Sequence, residues 1–96
     1  MKNIGHVTAK NLNIFEELGL PDAENLRLRA QLMVAIRQFF DESGLTQAKA
    51  ASVLGTTQPR LNDVLKGRID KCSIDRLVLM LGRVGGHVEL TVSIAA

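Results

Sequence analysis

The side chains with the most specific chemistry lie in residues 45–67, which read LTQAKAASVLGTTQPRLNDVLKG. A glutamine such as Gln58 can form two hydrogen bonds with the edge of an adenine in the DNA major groove, and cations can pair with phosphates. Residues 45–71 carry five basic and two acidic side chains, whereas residues 1–44 have a net charge of −1 and residues 72–96 balance. This central positive segment suits a polyanion-binding protein, although a solvated basic face has the same composition.

Catalytic and metal-binding patterns find little support elsewhere in the chain. His6 and His87 lie apart from any cysteine or carboxylate pair at metal-ligand spacing, so we expect no zinc site. Cys72 has no evident base partner, and packing in the core is its expected role. Asp41 and Glu42 are adjacent in a predicted helix and therefore do not share a face. We expect neither enzymatic activity, nor a bound metal, nor a cofactor.

The length of 96 residues suits one domain. A chain this short buries only about 60–65% of the surface of its unfolded form, so a free monomer is expected to be marginally stable. No apolar run approaches the roughly 18 residues of a membrane span, and the N-terminus lacks a signal-peptide pattern. The single cysteine cannot form an internal disulfide, which suits the cytoplasm. We therefore expect a cytoplasmic protein that does not contact membranes.

A long helix is predicted after Pro21, with Asp22 as its N-cap and its end near Ser43 and Gly44. Its apolar residues recur at helical spacing, at Leu28, Leu32, Ala35, Ile36, Phe39 and Phe40. Residues 1–20 are expected to form an N-terminal arm. Four apolar residues in that arm either fold back over the first helix or dock on a partner: Ile14, Phe15, Leu18 and Leu20.

Two short helices are predicted next, over residues 46–54 and 57–66, each with a threonine at its start and a glycine after its end. Ala51 must be small where the two helices cross, and Gly55 suits the left-handed backbone of the turn between them. Apolar contacts that fix the crossing are expected from Ala50, Leu54, Leu61, Val64 and Leu65. A further helix is predicted from Ser73, with its apolar face at Ile74, Leu77, Val78 and Leu81, ending at Gly85 and Gly86.

After this helix, the spacing of apolar residues changes from a helical period to alternation. Val88, Leu90, Val92 and Ile94 alternate with polar residues, which predicts a C-terminal strand with one buried face. A lone strand cannot satisfy its own backbone groups, so it needs a second copy of the chain or the sheet edge of another protein. Leu79 and Met80 point away from the apolar face of the preceding helix, where they either form a subunit interface or extend the core. The predicted fold is mainly α, a compact domain of four to five helices over residues 21–86 with one β-strand in residues 87–96.

Residues 46–67 resemble the helix-turn-helix of the phage Cro and repressor family, and GTTQPRLNDVLKG resembles a repressor recognition helix. A bacterial subgroup of that family shares more of the chain, through NIFEELGLPDAE, LTQAKAASVLG and SIDRLVLMLGRVGGHVEL, so the resemblance covers roughly residues 13–92. Members of the subgroup are commonly HigA-like antitoxins partnered with RelE-like ribonuclease toxins. The resemblance implies a DNA-binding autorepressor of a toxin–antitoxin operon.

The resemblance also implies roles for individual residues. Positions that face base edges in the family are occupied by Thr57, Gln58, Pro59 and Asp63. An acid such as Asp63 is repelled by phosphate unless it accepts a hydrogen bond from a cytosine amino group. Phosphate contacts are expected from Gln47, Arg60, Lys66 and Arg68, with Lys49 and Lys71 at the margin. One short helix makes few base contacts, so a homodimer on an inverted-repeat operator is expected.

Four other interpretations remain open. The helix pair can be purely structural, and Arg60 and Lys66 can be ordinary surface charges. The protein can be a phage-type or metabolic repressor without a toxin partner. It can also be a protein-interaction module whose helix-turn-helix no longer reads DNA.

Overall fold

The computed structural model describes residues 22–94, and these residues form a helical bundle. Its α-helices are α1 (Ala23–Ser43), α2 (Gln47–Val53), α3 (Gln58–Leu65) and α4 (Ile74–Arg83). A single 3₁₀ turn, Ile69–Lys71, joins α3 to α4 and was not expected from the sequence. The predicted mainly α architecture is confirmed for these residues. The predictions for the N-terminal arm, including the docking of Ile14 and its apolar neighbours, lie outside the described residues.

Hydroxyl side chains begin three of the four helices, as their sequence positions predict. The Oγ1 atom of Thr46 accepts a hydrogen bond from the backbone N–H of Lys49, 3.2 Å away, at the start of α2. Thr57 caps α3 in the same way through the N–H of Arg60, and Ser73 caps α4. Each cap satisfies one of the N–H groups that the first turn of a helix leaves without a backbone partner.

Asp22 precedes α1 as predicted, but it does not act as a side-chain cap. Its backbone is left-handed, with φ 55° and ψ 35°, and its carboxylate makes no capping hydrogen bond. A capping residue ordinarily has an extended backbone, which places its side chain over the first turn. The predicted start of the helix and the N-cap position of Asp22 are therefore confirmed, while the side-chain hydrogen bond expected of an N-cap is not formed.

The core lies where α1 packs on α4 and where the α2–α3 pair packs on α1. Its buried residues are Leu32, Met33, Ala35, Ile36, Ala50, Ala51, Leu54, Leu61, Val64, Cys72, Leu77, Met80 and Leu81. Alanine at positions 50 and 51 keeps the inner face of α2 small, which lets its backbone approach α3 closely. The predicted packing residues of the helix pair thus lie in the core, except Leu65, which is partly buried against it, and Gly55, which lies in the exposed turn.

Leu79 and Met80, considered together from the sequence, face different surroundings. Met80 is 5% exposed and belongs to the core, which is the second of the two alternatives left open for it. Leu79 is 70% exposed on the opposite side of α4. Adjacent residues in a helix are rotated by about 100°, so one can face the core while the next faces solvent. Leu79 therefore remains a candidate interface residue.

The predicted C-terminal strand is not formed. Residues 86–94 have no regular secondary structure, and the apolar residues of the predicted buried face are exposed, from 42% at Val88 to 91% at Ile94. Alternation of apolar and polar residues describes a strand with one covered face, but strand hydrogen bonds require a neighbouring strand. The other described residues are helices, turns and irregular segments, so this chain offers no such neighbour within residues 22–94.

Candidate nucleic-acid interface

The turn between α2 and α3 fixes how the second helix leaves the first. Gly55 has φ 69°, a left-handed conformation that is cheap for glycine. The backbone N–H of Thr56 donates to the carbonyl of Ala51 at 2.9 Å, and that of Gly55 donates to the carbonyl of Ser52 at 3.1 Å. This pair of bonds is a Schellman motif, which ends α2 sharply and satisfies two of its last carbonyls. The chain is then free to begin α3 after two further residues.

Arg83, at the end of α4, lies against this turn. A Cβ atom built at Gly55 would lie 2.6 Å from the Nε of Arg83, which is too close for any side chain to be added without a shift. Gly55 is needed for its backbone conformation, as the sequence indicates. The approach of Arg83 does not add a second requirement, because the exposed end of a flexible side chain can move aside.

The two faces of α3 differ sharply. Leu61 and Val64 are buried and face the core. A helix rotates by 100° per residue, so the side opposite Leu61 and Val64 carries Pro59, Asn62, Asp63 and Lys66. Gln58 and Arg60 flank this side, and both are exposed. We call these six residues, Gln58, Pro59, Arg60, Asn62, Asp63 and Lys66, the outer face of α3.

Three of the four sequence-predicted base-reading residues lie together in the first turn of α3 or directly before it. Thr57, Gln58 and Pro59 are all exposed. The hydroxyl oxygen of Thr57 accepts the capping hydrogen bond, and its methyl group is available for an apolar contact with a base. Pro59 is within the first turn, where the missing N–H costs no helical hydrogen bond. The fourth, Asp63, is one turn further along and is half-buried.

Asn62 on the outer face was not singled out from the sequence. It lies between Pro59 and Lys66 along the same side of α3 and is half-buried. An asparagine amide can bond adenine through both of its polar atoms, as glutamine can. The signal that could have found it is the spacing of three from Pro59 and four from Lys66, which places all three on one helical face.

The residues predicted to contact phosphate are placed differently from one another. Arg60 and Lys66 are exposed on the outer face of α3. Gln47 is half-buried at the first residue of α2, and the more marginal Lys49 and Lys71 are exposed. Arg68 follows α3 and is engaged within the chain, because its Nη1 lies 3.1 Å from the Oδ1 of Asp63. Two residues predicted to have separate roles are thus brought together as an ion pair.

Two arginines of α1 hold the far end of α3 and the turn after it. Arg37 donates from Nη1 to the carbonyl oxygen of Leu65 at 2.8 Å, and its Nε bonds both carboxylate oxygens of Asp41 at 3.2 Å. Arg29 donates from Nη1 to the carbonyl oxygen of Ile69 at 3.0 Å. The last carbonyls of a helix have no partner within it, so an arginine here satisfies an open acceptor and fixes the helix end.

Cys72 and His87 lie in surroundings that do not indicate catalysis or metal binding. Burial, and secondarily the charge of Asp63, raise the pKa of the Cys72 thiol above its ordinary value. The thiol donates weakly to the carbonyl oxygen of Arg68 at 3.4 Å. His87 and Glu89 are both exposed, and the Nε2 of His87 lies 3.5 Å from the Oε1 of Glu89. Within residues 22–94 no cluster of three metal-ligating side chains is found, and no helix there has the length and apolarity to cross a membrane.

Comparison with known families and proteins gives one finding. The model of a family described as a helix-turn-helix domain matches residues 14–93, which include all four helices and the outer face of α3. Among curated proteins, no relative matches the sequence.

Proposed function

Because the chain belongs to the helix-turn-helix domain family, we propose that it is a sequence-specific transcriptional repressor that binds an inverted-repeat operator as a homodimer. The observation that carries this proposal is the outer face of α3, where two amides, a carboxylate and two cations face away from the core. Inserted into the major groove, such a helix presents the donors and acceptors that distinguish base pairs.

Base reading is assigned to the first half of the outer face. Gln58 and Asn62 carry the amides that suit adenine, and the methyl group of Thr57 suits the methyl group of thymine. Pro59 contributes shape and apolar contact, since its side chain has no polar atom. These residues lie at the N-terminal end of α3 or one turn beyond, which is the part of a recognition helix that approaches the bases.

Backbone binding is assigned to the cations around this face. Arg60 lies on α3, Lys66 directly follows it, Lys49 lies on α2 and Lys71 lies in the 3₁₀ turn, and all four are exposed. If each subunit neutralises about three phosphates, a dimer neutralises about six, and the logarithm of the affinity falls with the logarithm of the salt concentration with a slope of about −5. Gln47 adds a neutral contact from the start of α2.

The dimer is assigned to α4 and the C-terminal segment. Leu79 is exposed on α4, and the apolar alternation of residues 88–94 is exposed directly after it. Pairing of this segment with the same segment of a second copy satisfies its backbone groups and covers one apolar face. The two-fold symmetry of such a pair matches the symmetry of an inverted repeat, whose half-sites lie about one helical turn of DNA apart.

We further propose that the repressor is the HigA-like antitoxin of a toxin–antitoxin pair. The support is the resemblance of roughly residues 13–92 to the antitoxin subgroup of the Cro and repressor family. The partner is then a small basic RelE-like ribonuclease encoded beside this chain, and the antitoxin represses their shared promoter. Purifying the product of the adjacent reading frame and titrating it calorimetrically with this chain tests the proposal. A saturable complex supports it, and the absence of binding contradicts the antitoxin role while leaving the repressor role intact.

DNA binding is tested with a labelled duplex of the region upstream of this chain's reading frame, by fluorescence anisotropy at two salt concentrations. The wild type is expected to bind it more tightly than a scrambled duplex. The double variant Gln58→Ala, Arg60→Ala is expected to lose this preference while it keeps its helical circular dichroism. Arg76→Ala removes an exposed cation from α4 and serves as the matched control.

The outcome separates the candidate functions. Loss of preference in the double variant together with wild-type behaviour of the control supports a DNA-reading repressor. Equal binding of specific and scrambled duplexes by the wild type contradicts it and favours a protein-interaction module whose helix-turn-helix does not read DNA. An unchanged preference in the double variant contradicts the assignment of base reading to Gln58.

A further inference from the structure

The ion pair of Asp63 and Arg68 is built by the end of α3. Gly67 follows the helix with φ 72°, and the backbone N–H of Arg68 donates to the carbonyl of Asp63 at 2.9 Å. This bond returns the chain onto the last turn of the helix, so residues five apart in sequence become neighbours. The side chains then meet, with Nη1 of Arg68 3.1 Å from Oδ1 of Asp63. The pair is thus a product of the helix end and does not follow from spacing along a helix.

We propose that Arg68 is a positioning residue for Asp63 and does not itself contact a phosphate, and that the pair makes Asp63 a reader of cytosine in each half-site. This inference rests on the proposed DNA-binding function and assigns a base to one position of that site. It also reverses the role in phosphate binding that the family resemblance implies for Arg68.

Asp63 lies where a base reader must lie. It is on the outer face of α3, one turn after Pro59, and its side chain is 24% exposed while that of Arg68 is 50% exposed. The Asp63 side chain is therefore mostly covered, and part of it stays open to solvent. Its contact with Asp63 is through a single nitrogen, and an ionised carboxylate has about four acceptor sites, so Asp63 retains capacity to accept a further hydrogen bond.

The chemistry of the groove favours cytosine. A carboxylate only accepts hydrogen bonds, and the donors that base edges present in the major groove are the amino groups of cytosine and adenine. Adenine places the acceptor N7 beside its amino group, and that lone pair repels a carboxylate. Cytosine presents its amino group without such a neighbour on the same base. A carboxylate held rigidly in the groove therefore discriminates between the two.

The neighbouring cations make this contact electrostatically feasible. An unpaired carboxylate approaching DNA is repelled by the phosphates, which carry one charge per roughly 1.7 Å of the duplex axis. Arg68 offsets that charge directly, and Arg60 and Lys66 each lie three residues from Asp63 along the chain. A surface ion pair contributes little to the free energy of unfolding. We therefore expect the Asp63–Arg68 pair to position the carboxylate and not to stabilise the fold.

A double-mutant cycle on DNA affinity tests the proposal. The full chain is first used to select its preferred duplex from a randomised pool, and that duplex is the probe for the wild type, Asp63→Ala, Arg68→Ala and the double variant. If Arg68 acts through Asp63, Arg68→Ala lowers the affinity about tenfold in the wild-type background and less than twofold in the Asp63→Ala background. Lys66→Ala is the control for a phosphate contact and is expected to reduce the salt slope by about one per subunit.

Asp63→Asn supplies a second readout that needs no change in side-chain size. Selection from the same pool is expected to lose one cytosine from each half-site and to gain adenine there, because an amide both donates and accepts. Circular dichroism checks that every variant is folded. Arg68→Lys keeps the positive charge and is expected to restore part of the cytosine preference that Arg68→Ala weakens.

Each outcome has a separate meaning. An equal loss of affinity on Arg68→Ala in both backgrounds, with a reduced salt slope in the Asp63→Ala background, makes Arg68 a phosphate contact and overturns the inference. Selection by Asp63→Asn of a half-site identical to that of the wild type overturns it as well. If the wild type selects no duplex at all, the proposed function itself fails, which is a distinguishable result.

Discussion

At the scale of single residues, the glycines after α2 and α3 make a matched pair. Gly55 and Gly67 have nearly the same backbone, with φ 69° and 72°, but a Cβ at Gly55 meets Arg83 whereas one at Gly67 has nothing within 4 Å. A left-handed backbone costs an alanine roughly 1–2 kcal/mol. We expect Gly67→Ala and Gly55→Ala each to lose about that amount of unfolding free energy, as measured by urea titration, because the exposed Arg83 side chain can move away from position 55.

The contribution of Arg83 can be tested separately. In an Arg83→Ala background the two alanine substitutions are expected to cost the same as in the wild type, because the Arg83 side chain moves aside in either case. A cost of Gly55→Ala that falls in that background would show that the contact with Arg83 adds to it.

Prediction from sequence succeeds for residues whose role is local. The threonine caps of α2 and α3 and the glycine of their turn follow from backbone chemistry within a few residues, and the structure places them as expected. The contact between Asp63 and Arg68 could not be predicted in this way. Each was assigned a separate contact with DNA, and their ion pair arises only from the path of the chain after α3.

At the scale of elements, the direction of α3 depends on an arginine from α1. Arg37→Ala removes the hydrogen bond to the carbonyl oxygen of Leu65 and is expected to lower the unfolding free energy by about 0.5–1 kcal/mol, since Arg37 is half-exposed. It is also expected to weaken DNA binding, because the end of α3 loses its anchor. Asp41→Ala is the control, since it removes the carboxylate partner of Arg37 and leaves the bond to Leu65. Equal effects of the two substitutions on stability and on DNA affinity would contradict the anchoring role.

Helices are easier to predict here than the way they are joined. The apolar periodicity of α1 and α4 identifies most of their buried residues, since burial follows a period of 3.6 residues. On α4 the predicted face is partly wrong, because Val78 is 37% exposed whereas Met80, outside that face, is buried. The 3₁₀ turn and the two arginines that hold α3 depend on contacts across 28 to 40 residues, for which the sequence gives no periodic signal. The prediction of a C-terminal strand is wrong for a related reason. Alternation of apolar and polar residues describes the two faces of a strand, but it does not indicate whether a neighbouring strand is present to form hydrogen bonds.

At the scale of the whole molecule, the exposed C-terminal segment supports the proposed dimer. Leu90→Lys with Val92→Lys places charges on the apolar face of the segment and is expected to give a monomer in sedimentation equilibrium, because a buried lysine opposes association. Thr91→Lys with Ser93→Lys alters the alternate face and is the matched control, which is expected to remain dimeric. Identical association of both variants would contradict pairing through this segment.

The central claim is that the outer face of α3 contacts a DNA duplex, and amide chemical-shift mapping tests it most directly. The ¹⁵N-labelled chain is titrated with the duplex selected from the randomised pool. The largest shifts are expected at the start of α3, around Gln58 and Asn62, and at the start of α2. Shifts confined to α1, or to the exposed side of α4 around Leu79, with α3 unperturbed, would contradict the claim.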